Sequence, residues 1–204
     1  MVTAISTPKL GPDITLIGGS ARVGKTTLAR RWVSAHPSEL VHLDHLLHAL
    51  TAIADAEALT SLRKAPSITT HTPGQWLSEL RDRDAILWKA AHAYAGAAQG
   101  QLVIEGGLWP DWLRQLDVPH TAIFIVDTSE DSAERLVQMT RQDPRSWIAQ
   151  RRWPDDKIRS WATYNRFRSQ AISDLAIQYG YPVFDVAGSI SEGQERALRY
   201  LAAA

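Results

Sequence analysis

The sequence predicts an α/β protein of three layers, α/β/α, in which a five-stranded parallel sheet carries helices on both faces. Three observations lead there. Five short apolar runs, near residues 14–17, 40–43, 101–105, 122–126 and 182–186, have the length of buried strands and are bounded by glycine, proline or charged residues. Between them lie segments with apolar residues at helical spacing, so strands alternate with helices along the chain. The runs are apolar throughout rather than alternating, which suits a parallel sheet covered on both sides.

Each element has a local reason. Pro8, Gly11 and Pro12 keep residues 1–13 out of regular structure, so a flexible tail is expected before a single domain over 14–204. Ile14 to Ile17 is a strand closed by Gly18-Gly19. Thr26 to His36 is helical, and Pro37 stops it. Leu40 to Leu43 is a second strand that ends at Asp44, and Leu46 to about Leu62 reads as a helix. Thr72-Pro73 supplies an N-cap with proline in the first helical position, opening a helix that runs toward Ala98. Gln101 to Glu105, Ala122 to Val126 and Pro182 to Val186 complete the strands. Ser129 to Arg141 and Asp155 to Gln178 read as helices, and Ser191 with Gln194 forms a capping box for the last one.

Composition narrows the function classes. The 204 residues carry 22 Lys+Arg against 22 Asp+Glu, and zero net charge argues against a general nucleic-acid or membrane-surface binder. The absence of Cys removes disulfides, thiol nucleophiles and Cys-based zinc sites. The longest apolar runs fall short of the roughly 20 residues of a membrane span, and the first residues lack the pattern of a signal peptide. A cytoplasmic protein is expected, monomeric or homodimeric.

Gly19-Ser20-Ala21-Arg22-Val23-Gly24-Lys25-Thr26 matches the phosphate-binding loop pattern G-x-x-x-x-G-K-[ST], between a strand and a helix as that loop requires. Backbone N–H groups from Gly19 to Thr27 and the helix N-terminus would face phosphate oxygens. Lys25 would reach the β- and γ-phosphates, and the Thr26 hydroxyl would ligate Mg²⁺. The pattern predicts binding of a nucleoside triphosphate, with ATP and Mg²⁺ as the expected pair. A GTPase would need a base-reading Asn-Lys-x-Asp element, which is absent. Ser191-Glu192-Gly193-Gln194 resembles a transporter signature, but too few residues follow for the strand that should succeed it.

Two carboxylates fall at the same sheet edge as this loop. Asp44 ends the second strand and Glu105 the third, and a carboxylate there can take a proton from an attacking hydroxyl or hold Mg²⁺, directly or through water. Each also has a purely local role open to it, Asp44 as a helix N-cap and Glu105 as a loop-stabilising group. Residues 141–168 contain seven Arg and one Lys against three Asp, a local charge of +5 balanced by −5 elsewhere. Guanidinium groups on a flap could neutralise a transferring phosphoryl group and exclude water. His42, His45 and His48 recur every three residues, a spacing that splays rings around a helix and disfavours a metal site. His45, beside Asp44, is instead a candidate for orienting an acceptor hydroxyl. Trp109-Pro110-Asp111-Trp112, just past Glu105, could wall a flat or apolar acceptor, and Trp76 is a further acceptor candidate. Trp147, Trp153 and Trp161 are read as anchors of the flap helices.

From Ile14 onward the chain resembles the P-loop nucleoside and nucleotide kinases, a group that includes adenylate kinase-like and uridine kinase-like enzymes. The phosphate loop is the specific part. Leu43-Asp44 is similar to the element whose aspartate meets the acceptor hydroxyl in uridine kinase-like members, and Val103-Ile104-Glu105-Gly106 to their third-strand acidic motif. The resemblance implies a P-loop kinase fold with a helical acceptor region at about 45–100 and an Arg-rich lid at about 141–158. Arg141, Arg145 and Arg152 would supply lid charge, and Arg159 would sit where nucleotide kinases clamp phosphate. The loop after the last strand, with Gly188 and Ser189, would lie near the adenine. The lid lacks Cys, which excludes the zinc-binding type. The implied activity is transfer of the γ-phosphoryl of ATP to a nucleoside, nucleotide or similar metabolite. An antibiotic or specialised-metabolite kinase and an ATP-binding regulatory protein remain as alternatives.

Overall fold

The computed structural model describes residues 13–56, 60, 62 and 66–204. Residues 1–12 of the expected tail, and parts of the helix expected to reach Leu62, lie outside the described residues.

Strand β1 (Ile14–Gly19) is buried along its whole length. It pairs in parallel with β3 (Leu102–Glu105) on one side and β4 (His120–Val126) on the other. Beyond these lie β2 (Glu39–His42) and β5 (Val183–Asp185), so the sheet has the order β2-β3-β1-β4-β5 and every pairing is parallel. The five-stranded parallel sheet is as expected. Its register sets the site, because Ile17 lies opposite Glu105 and Glu105 opposite His42. β2 and β3 therefore finish at one level and β1 runs on to Gly19, at the edge where ligands of open α/β sheets bind.

Alternate strand residues feed the two faces. Leu16, Ile104 and Phe124 pack with Leu43, Trp88 and Ile172 under the helices α2 (Leu43–Ile53), α3 (Pro73–Ala97) and α7 (Asp155–Gln178). Ile17, Val103 and Ile125 face the other way, onto Leu28 of α1 (Lys25–Ala35) and Leu201 of α8 (Ile190–Ala203). A third cluster, built on Leu136, Val137, Ile148, Ile158 and Trp161, joins α5 (Ser132–Gln142), α6 (Trp147–Gln150) and α7. A short α4 (Pro110–Leu113) follows β3.

The start of α3 is as the sequence implies. The Thr72 hydroxyl accepts from the Gln75 N–H at 3.3 Å, the Gln75 side chain accepts from the Thr72 N–H at 2.9 Å, and proline follows the cap. Three local expectations are corrected. β2 stops at His42 and Leu43 is already helical, so Asp44 lies in the first turn of α2 instead of ending a strand. Helix α2 ends at Ile53, where Ala54 turns extended. The cap of α8 is Ser189, which accepts from the Glu192 N–H at 3.2 Å; Gln194 instead donates to the Gly24 carbonyl at 2.9 Å. The capping pattern at Ser191 lost to a tertiary partner for its glutamine.

Candidate active site

The phosphate loop leaves β1 against β4. Gly19 has φ +134°, and a Cβ there would stand 1.9 Å from the Ile125 carbonyl oxygen, so only glycine fits. Gly24, at φ +86°, turns the chain into α1. The Lys25 ammonium donates to the Ser20 carbonyl at 2.5 Å, folded back across its own loop. Burial pushes its pKa below the ordinary 10.5; Glu105, Asp44 and Asp84 oppose that shift and Arg168 adds to it.

Helix α7 holds the loop from the side. Asn165 makes two hydrogen bonds to one residue, accepting from the Ala21 N–H at 3.1 Å and donating to the Ala21 carbonyl at 2.9 Å. The Ser169 hydroxyl donates to Ser20 Oγ at 2.7 Å and accepts from the Asp127 N–H at 3.3 Å. These polar residues stand on the buried stripe of α7, between Trp161 and Ile172.

Beside the loop, Thr26 Oγ1 donates to Glu105 Oε1 at 3.0 Å, and the same oxygen lies 2.6 Å from His42 Nδ1. Glu105 is 5% exposed. Among the described residues no group of three or more His, Cys, Asp or Glu is arranged to hold a metal by itself. One hydroxyl and one carboxylate next to a phosphate loop nevertheless suit Mg²⁺, which prefers hard oxygens, keeps its waters and is completed by substrate phosphates.

A buried charged group borders the same region. Asp84 of α3 is 2% exposed and accepts from Arg168 at 2.9 Å, Arg83 at 3.0 Å and the Trp109 indole N–H at 3.1 Å. Gly107 makes room for it, since a Cβ there would stand 2.8 Å from Arg168 Nη2. Burial lowers the Arg168 pKa, with Asp84 acting against that shift.

These parts line one cleft of about 750 Å³, which Gly19, Ala21, Arg22, Gly24, Lys25 and Thr26 border from the phosphate loop and the start of α1. Thr27 also borders it. Asp44, Arg83, Asp84, Glu105, Gly106 and Arg168 line the same cleft. A second chamber of about 410 Å³ shares Asp44, Arg83 and Arg168 with it and extends to Trp76, Trp147, Trp153 and Trp161.

Sequence expectation and geometry part at several residues. Ser20 and Val23 of the loop are buried and do not border the cleft; the Ser20 N–H donates to the Ile125 carbonyl at 3.2 Å. Trp109 is 0% exposed, packed under Arg81 at 4.3 Å and bonded to Asp84, and it cannot wall an acceptor. None of Arg141, Arg145, Arg152 and Arg159 borders the cleft. Arg141 pairs with Asp155, and Arg159 with Glu134 at 2.6 Å on the surface. The lid segment meets the cleft instead through Met139, Gln142, Asp143 and Trp147. His45 is exposed and touches the His42 ring edge-on, outside the cleft lining. Gly188 and Ser189 also stand back from it, while Ile190, Ser191 and Gln194 border it.

The site residues that sequence reasoning missed are His42, Arg83, Asp84, Asn165, Arg168 and Ser169. A signal for one of them was present. Asp84 continues the four-residue spacing of Trp76, Leu80 and Trp88, and a charge on an apolar stripe marks a buried polar contact.

No family model matches the sequence, and the search of curated proteins finds no match. Solved structures do match. A shikimate kinase from Bacteroides thetaiotaomicron superposes with a TM-score of 0.54 at 13% identity, covering 93% of this chain and 98% of that one. A gluconokinase from Sinorhizobium meliloti gives 0.53 at 13% identity over 94% and 96%. A kinase-like protein from Chloroflexus aurantiacus gives 0.52 at 19% identity over 94% and 97%. The chain therefore has the three-layer fold of the P-loop small-molecule kinases over nearly its whole length.

Proposed function

We propose that the protein is an ATP- and Mg²⁺-dependent phosphotransferase that moves the γ-phosphoryl group to a small hydroxyl- or phosphate-bearing acceptor. The observation that carries this reading is one cleft lined by two sets of groups: the phosphate loop with Lys25, and Asp44 with the Arg83–Asp84–Arg168 group. A protein that only binds ATP has no use for the second set. The similarity to structures named as shikimate kinase and gluconokinase agrees with it.

In this reading the loop amides and Lys25 hold the triphosphate, and Lys25 follows the charge that develops on the transferring group. Thr26 and Glu105 would hold Mg²⁺, with His42 fixing the carboxylate. Bound there, the metal would neutralise phosphate oxygens. Asp44 orients the acceptor hydroxyl and accepts its proton as the acceptor oxygen bonds to phosphorus. The bond from phosphorus to the bridging oxygen breaks, and ADP leaves with that electron pair. Ile190, Ser191 and Gln194 edge the nucleotide side. A cytoplasmic protein acting as a monomer or homodimer fits this role.

The test is incubation with ATP, Mg²⁺ and a mixed pool of nucleosides, nucleotides, sugars and other metabolites, followed by a mass search for products heavier by about 80 Da. Lys25→Ala should lower kcat by about 10²–10³-fold or more with the circular dichroism spectrum unchanged. Undiminished transfer in that variant would refute the assignment. Slow ATP turnover that no acceptor accelerates would favour a regulatory protein.

A further inference from the structure

The second chamber has a chemistry of its own. Trp147 and Trp153 meet edge to face with centroids 5.3 Å apart, and Trp147 and Trp161 do so at 5.5 Å, forming a corner of indole faces and edges. Trp147 remains 38% exposed. Trp76, 4% exposed and braced edge-on by Tyr164, lines the chamber as well. Such a corner offers flat π surfaces that a planar ring can match by offset or edge-to-face contact. A saturated ring of the same outline gains less there.

The charge in the chamber is one-sided. Among the described residues, Arg83, Arg151, Lys157 and Arg168 border it, against the single carboxylate of Asp44. Lys157 lies 4.6 Å from the Trp153 ring centroid and Arg151 5.1 Å from that of Trp147, so the rim cations are held over the aromatic corner. At the inner end Asp84 answers two guanidiniums, and the buried Nε atoms of Arg83 and Arg168 have no hydrogen-bond partner. A neutral occupant would leave this excess uncompensated.

We propose, on the phosphotransferase reading above, that the acceptor is a planar aromatic molecule bearing an acidic group, with its ring in the tryptophan chamber and its hydroxyl toward Asp44. The shared wall supplies the connection, because Asp44 borders both the chamber and the cleft that holds Lys25.

Calorimetric titration of the full chain with three probes tests this. They are 6-(hydroxymethyl)naphthalene-2-carboxylate, its fully saturated two-ring counterpart, and its methyl ester. A non-hydrolysable ATP analogue with Mg²⁺ is titrated separately. The aromatic acid should bind about tenfold more tightly than either of the others. Trp153→Leu should remove the preference for the aromatic over the saturated ring. Lys157→Ala, a surface change, should reduce the preference for acid over ester, and neither variant should alter affinity for the ATP analogue. Equal binding of the saturated probe, an unchanged preference in both variants, or no binding of the naphthoate while the ATP analogue binds would overturn the proposal alone. Failure of the ATP analogue to bind would overturn the phosphotransferase reading itself.

Discussion

Burial holds the Lys25 ammonium below its ordinary value of 10.5 because its surroundings replace water with protein before any phosphate arrives. The consequence for stability has a definite sign. Between the lowered value and 10.5 the unfolded chain binds the proton that the folded chain has released, so the unfolding free energy rises with pH through that window. In denaturant titrations at pH values approaching 10.5 from below, the wild type should gain stability with pH and Lys25→Met should lose that component of the slope. Tyr181 acts in the opposite sense above 10.0, where burial keeps its hydroxyl protonated in the folded state, so the two effects overlap only near the top of the Lys25 window. The position of Lys25 between the loop and α1 was legible from the loop pattern alone. The hydrogen bond from Thr26 to Glu105 joins residues 79 positions apart, and only the register of β1 against β3 brings them together.

At the scale of elements, α7 shows why part of the site escaped a reading by periodicity. Its buried stripe runs through Ile158, Trp161, Ala162, Ile172 and Ala176, with Asn165, Arg168 and Ser169 on the same face. The helix is legible as a helix. That its polar residues turn inward to tether the phosphate loop depends on where the loop lies. Asn165→Ala should free both polar groups of Ala21, weakening ATP binding about tenfold and lowering stability by about 1–2 kcal/mol. Titration with ATP and urea denaturation measure the two effects. An unchanged nucleotide affinity would mean that the tether does not shape the loop. Local caps divide in the same way: the Thr72–Gln75 box closes within four residues and was readable, whereas Gln194 was drawn off to Gly24.

Across the whole molecule, Asp84 ties together three distant parts of the chain: α3, Arg168 of α7 and Trp109 after β3. Asp84→Ala should therefore cost about 3–5 kcal/mol in urea denaturation, because it strands two guanidiniums and an indole N–H away from water. A loss confined to a few tenths would mean that water replaces the carboxylate freely. The segregation of charge has a related explanation. The +5 of residues 141–168 suggested a lid of arginines over phosphate. Arg141 and Arg159 instead meet Asp155 and Glu134 at the surface, while buried Arg168 reaches the cleft. The order of strands and helices, the parallel sheet and the phosphate loop were determined by the sequence alone, because hydrophobic spacing and a contiguous loop motif act over short stretches of chain. Which arginines face the cleft, which tryptophans line a chamber and which are sealed in the core were decided only by the tertiary structure. Such roles depend on what packs against each side chain from elsewhere, and composition and periodicity carry no record of that neighbour.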